Sequence, residues 1–154
     1  MELPQGYDTI MVVVDHLSKW AHVILTMSNV MAARVAHLFQ DHIWKLHGLL
    51  EEVISDQGTQ FVSNFTQSLS QLLGIWVAAS MAYHPRTDGE TERVNQEVEQ
   101  FLQLFMNQCQ DDWYELLSIS EFAYNDWVHG STHSSPFMMD TRQNPQLGIE
   151  LLSA

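Results

Sequence analysis

Two apolar, β-branched runs lie close together near the start of the chain, YDTIMVVV at 7 to 14 and WAHVILT at 20 to 26. Runs of this kind predict buried strands, and a hairpin-like pair is their simplest arrangement. The period then changes. After Ser28 or Asn29, either of which can cap a helix, Val35, Leu38, Phe39, Ile43 and Leu46 recur at helical spacing until Gly48. A short strand is expected at 52 to 55, then a helix with Phe65, Leu69, Leu72 and Leu73 on one face, ended by Gly74, then a strand at 75 to 79. Beyond the loop of 80 to 89, a long helix is expected to about Asn107 and another from Asp112 to about Val128, with Asp112 and Glu115 spaced as a capping box. Ser135-Pro136 reads as a further helix start. Paired strands followed by alternating strands and helices predict one α/β domain over residues 1 to 154, a mixed sheet flanked by helices.

The 154 residues, 45% hydrophobic and 16% charged, are enough for one core. No run approaches the roughly 20 apolar residues of a membrane helix, and the start lacks a signal-peptide layout, so the expectation is a soluble, intracellular protein with no membrane partner. Cys109 is the single cysteine, which excludes an internal disulfide and any multi-cysteine zinc site, and it has no basic neighbour to activate it. Nineteen acidic residues against six basic ones give a formal charge of -13. By composition alone that is the wrong sign for holding DNA through its phosphates.

Two acids stand out by context. Asp56 falls where an apolar strand gives way to a glycine-containing loop, the strand end from which α/β folds present functional groups. Glu92 falls in the first turn of the long helix, on the side of Gln96, Glu99 and Gln103 and opposite Val94, Val98, Phe101, Leu102 and Phe105. From spacing alone a structural role, with Asp56 holding a loop and Glu92 favouring a helix N-terminus, stands beside a catalytic one. His37, His42 and His47 repeat every five residues, but each step turns about 140° around a helix, so they do not converge on one metal.

The segments ISDQGTQF (54 to 61) and AYHPRTDGETERVNQ (82 to 96), with VVVDHLSKWAH, HIWKLHGL, DDWYELLSISEFAYND and SSPFMM, resemble the catalytic core of gypsy-type retrotransposon and retroviral integrases over nearly the whole chain. Thirty-five residues, 57 to 91, separate Asp56 from Glu92, as between the second and third catalytic acids of that family. The resemblance implies a ribonuclease-H-like fold with about five strands. It also implies three carboxylates holding two Mg²⁺ or Mn²⁺ ions, which stabilise the entering and leaving oxygens of phosphodiester attack. The implied reaction is 3′-end processing of the element's DNA and its transfer into target DNA by a homo-oligomer, nuclear when acting on chromatin and otherwise cytoplasmic. Asp56 and Glu92 are the implied metal ligands; His84, Arg86, Arg93 and Asn95 are the implied DNA contacts.

The chain departs from the pattern at its start. Asp15 corresponds to an aspartate on the family's second strand, so it is expected to be structural or to support the site. The first catalytic acid belongs upstream of the segment that Leu3-Pro4 matches, and Glu2 is the only acid near it. The domain is therefore expected to be truncated at its first strand and to be inactive as this fragment. Family members often carry arginine where His16, Gln57, Cys109, Trp127 and His133 stand here, changes that decay of methylated CpG would produce and that would account for the acidic balance. A domesticated, non-enzymatic interaction or dimerisation module with the same fold is the alternative; a ribonuclease-H-type nuclease is a third reading. Trp113, Phe122, Tyr124 and Trp127 are expected in the core or at a dimer contact rather than as a base-stacking platform.

Overall fold

A computed structural model describes residues 6 to 55, 57 to 77, 80 to 82 and 113 to 146, together with 93, 94, 96, 97, 99, 100 and 103 of the intervening segment. Strands β1 (Thr9–Val14) and β2 (Ala21–Thr26) form an antiparallel hairpin. Helix α1 (Ala32–Phe39) continues through a π-helical stretch, Gln40–Trp44, into the short α2 (Lys45–His47). Strand β3 (Glu52–Ile54), helix α3 (Thr59–Leu73) and strand β4 (Ser80–Ala82) follow, with β3 and β4 parallel. A 3₁₀ turn, Trp113–Leu116, leads into α4 (Leu117–Asp126), and α5 (Pro136–Thr141) comes last.

Strand register sorts the hairpin onto two faces. Met11 pairs with Ile24 and Val13 with His22, while Ile10 faces Leu25, Val12 faces Val23 and Val14 faces Ala21. Because successive side chains alternate, Met11, Val13 and Ile24 pack with Ala36, Phe39, Phe65 and Leu69 of α1 and α3. Ile10, Val12, Val14, Ala21 and Val23 pack on the other face with Val94, Leu117 and Tyr124. The result is helix, sheet, helix, as expected of an α/β domain.

Several boundaries differ from the sequence expectation for traceable reasons. Neither Ser28 nor Asn29 caps α1; Met31 precedes it without a side-chain cap. Ser28 instead donates from its amide and hydroxyl to the two oxygens of Asp8 at 2.6 and 2.7 Å, tying the end of β2 to the start of β1. The strand expected at 75 to 79 is absent from its described part, and β4 begins at Ser80. Gly74 ends α3 in the left-handed region at φ +65°; Ile75 then donates to the Ser70 carbonyl and Val77 to its hydroxyl, so these amides finish the helix instead of starting a ladder. Ser135 caps α5 as expected, its Oγ accepting from the Met138 amide at 3.2 Å.

In place of one sheet of about five strands, the described residues form two two-stranded sheets. Between them lies a cleft of about 540 Å³ lined by every residue from Thr9 to Val14 and every residue from Glu52 to Ser55. Side chains on one face of a strand come from alternate residues, so a wall built of consecutive residues is a strand edge. The expectation that both apolar runs are buried strands is corrected for the first. β2 is buried at all positions but Leu25, whereas β1 is only half-buried throughout, because its second edge meets the cleft and no strand pairs with it among the described residues.

Candidate active site

The described residues between β3 and α3 are held locally. The Ser55 hydroxyl accepts from the Gln57 amide at 3.1 Å, and Gly58, at φ +91°, turns the chain into α3 with its carbonyl accepting from Val62. A side chain other than glycine is strained at such a φ. Ser55 and Gln57 both line the cleft. Helix N-termini favour negative charge. Asp56 itself lies outside the described residues, as do His84, Arg86, Glu92 and Asn95, along with Glu2, Cys109 and Asp112. The separation of Asp56 and Glu92 is therefore not among the described geometry. Among the described residues no group of three or more His, Cys, Asp or Glu is arranged to hold a metal ion.

Arg93 is described, and it is exposed on a helical segment anchored by the buried Val94. Gln96, Glu97, Glu99, Gln100 and Gln103 are exposed with it, so at its described positions this segment has the polar outer face expected from the sequence.

Asp15 sits in the hairpin turn. Its carboxylate accepts from the Ser18 amide at 2.7 Å and the Ser18 hydroxyl at 2.6 Å, while its backbone bonds to Trp20 and Lys19 close the turn. Partial burial pushes its pKa up, but the two Ser18 bonds and the nearby His47 outweigh that, and the carboxyl lies below its ordinary range. Both strong donors come from its own turn.

Two residues not singled out in the sequence hold the outer edge of β2. Asn125 is almost wholly buried; its Oδ1 accepts from the Ala21 amide and its Nδ2 donates to the Ala21 carbonyl, both at 2.9 Å, in the manner of a neighbouring strand. Glu121, one turn earlier, accepts from the Val23 amide at 2.8 Å and faces His22 Nδ1 at 3.2 Å. Their four-residue spacing on a helix that also buries Leu117 and Tyr124 was the available signal. α4 thus satisfies one edge of the hairpin, and the cleft exposes the other.

Of the aromatic set, Tyr124 is buried, Trp113 packs against the same core, and Phe122 meets Phe137 at 5.2 Å, while Trp127 is 76% exposed. His37, His42 and His47 are all exposed, and His47 turns towards His22.

No protein-family model matches the chain. The Tf2-3 and Tf2-4 transposon polyproteins of Schizosaccharomyces pombe are each 31% identical to it over 149 residues, 96% of this chain. The chain spans 11% of the length of these relatives. Among solved structures, the HTLV-2 integrase catalytic core domain in complex with magnesium superposes with a TM-score of 0.64 at 17% identity, covering 89% of this chain and 88% of that one. The simian T-cell lymphotropic virus intasome in complex with the PP2A regulatory subunit B56 gamma gives 0.66 at 16% identity, covering 91% and 50%.

Proposed function

We propose that this chain, a homologue of retrotransposon polyproteins with the fold of retroviral integrase catalytic cores, is the integrase core of a gypsy-type long-terminal-repeat element. Its substrates are the element's DNA ends and target DNA, it works in the nucleus, and it acts as a homo-oligomer. The observation that carries the reading is the agreement of the sequence match and the fold match, each over most of the chain. The lining of the cleft by Ser55 and Gln57, the described residues at the end of β3 and before α3, is consistent with it.

Asp56 and Glu92 are the proposed ligands of Mg²⁺ or Mn²⁺, and such ions would stabilise charge on the attacking and leaving oxygens of the phosphodiester. Carboxylate oxygens suit these hard cations. His84, Arg86, Arg93 and Asn95 are the proposed DNA contacts, and Arg93, exposed beside the buried Val94, is free of the core. Asp15 is assigned to the hairpin turn, since Ser18 takes up its carboxylate.

Among the described residues the edges of β1 and β3 that face the cleft are unpaired, which leaves room for a further strand between them. The test is joining of a labelled oligonucleotide to plasmid DNA in Mg²⁺ or Mn²⁺, comparing this chain with one extended upstream in its reading frame. The extended chain should join DNA and its Asp56→Asn variant should not. Full joining by that variant would end the proposal.

A further inference from the structure

Away from the cleft, two imidazoles face each other nitrogen to nitrogen. His22 Nε2 and His47 Nε2 are 2.9 Å apart, with ring centroids at 5.2 Å. His22 is buried on β2, whereas His47 ends α2 and is exposed, followed by Gly48 at φ +81°. The protonation pattern follows from Glu121. An ionised carboxylate only accepts, so His22 Nδ1, 3.2 Å from Glu121 Oε1, carries the proton in neutral His22. His22 Nε2 is then a lone pair aimed at His47, and His47 Nε2 supplies the proton between the rings. A carboxylate behind one imidazole nitrogen, with the other nitrogen free to bind, is the arrangement that orients metal-ligating histidines and raises their basicity.

We propose that His22 and His47 form a two-nitrogen site for a borderline or soft divalent cation of the Zn²⁺, Cu²⁺ or Ni²⁺ class; the proton on His47 Nε2 passes through solvent to its Nδ1, so both ligands bind as neutral imidazoles. Zinc to histidine bonds of about 2.0–2.1 Å at a tetrahedral angle put the two nitrogens about 3.3 Å apart. The present 2.9 Å must widen by a few tenths of an ångström, and the His47 ring must swing off the line joining the two nitrogens so that both lone pairs reach one ion. His47, exposed at a helix end beside a glycine, can supply that movement; His22, held by Glu121, need not move. Among the described residues no third donor completes the set, so water fills the other positions and affinity is moderate. The Irving–Williams order ranks Cu²⁺ above Zn²⁺ and Ni²⁺, and hard Mg²⁺ is not taken. Bound metal would join α2 to β2, and through Glu121 to α4.

The test uses the whole 154-residue chain and each metal alone. Calorimetric titration with Zn²⁺ and Cu²⁺ should give one ion per chain, tighter for Cu²⁺, with thermal unfolding shifted upward. His47→Ala and His47→Gln, changes at an exposed position, should each lose at least tenfold in affinity and the thermal shift, while His37→Ala keeps both. Absence of one-to-one binding by the parent chain overturns the proposal, and so does undiminished binding by both His47 variants. Neither result bears on DNA joining.

Discussion

Removing the Asn125 carboxamide tests whether α4 acts as a surrogate strand against β2. Asn125→Ala deletes two hydrogen bonds of 2.9 Å and leaves the Ala21 amide and carbonyl without that partner at a buried position. A hydrogen bond contributes about 1 kcal/mol net and an unsatisfied buried group costs about 1–3 kcal/mol, so the combined loss should be about 2–4 kcal/mol. For a chain of this size that lowers Tm by about 5–15 °C. Asn125→Asp separates the two bonds. It keeps an acceptor for the Ala21 amide but sets a carboxylate against the Ala21 carbonyl, so at pH 7 it should cost at least as much as alanine. Burial and the carbonyl raise the folded pKa of the new acid. Part of the loss should therefore return, relative to the parent, as pH falls and the carboxyl gains a proton to donate. Urea unfolding at pH 7 and pH 5 measures all of this. A loss below about 1 kcal/mol for Asn125→Ala would refute the reasoning, since it would be no more than one ordinary hydrogen bond.

The Asp15 carboxyl is depressed in the folded state, so its contribution is fully present above its unfolded pKa and disappears as pH drops through the lower folded value. Ser18→Ala should accordingly lose more stability at neutral pH than in strong acid, as read by a pH series of urea midpoints. Leu69→Ala, at a fully buried position on α3, should cost about 2–5 kcal/mol in the same assay. Gly74→Ala should cost about 1 kcal/mol from left-handed backbone alone, because an added Cβ meets nothing within 4 Å; a larger loss would mean that hidden packing had been missed.

Much of this architecture was legible because its signals are local. β-branched runs marked the hairpin, three- and four-residue recurrence marked α1 and α3, and Gly74 and Ser135-Pro136 marked their own boundaries. What escaped depends on contacts distant in sequence. Ser28 reads as a helix cap until Asp8, twenty residues earlier, takes its donors. Ile75 and Val77 read as strand until the last turn of α3 claims their amides. Asn125 and Glu121 were not singled out, because their partners on β2 lie about a hundred residues earlier. At the candidate site, the chain reversal at Gly58 was legible from Gln57-Gly58, and the assignment of Asp56 and Glu92 rested on a resemblance rather than on geometry.

The flank of β1 that no strand pairs with among the described residues has a consequence for association. Six residues, five of them aliphatic or methionine, present a row of backbone donors and acceptors along a groove, with no charge, proline or bulge within the strand to discourage a foreign chain. Proteins ordinarily blunt such a flank, because it templates intermolecular ladders. Two molecules meeting there can zip together, and further copies can extend the ladder into aggregates. Oligomers formed through this flank would grow steeply with concentration, a different species from any assembly that works on DNA.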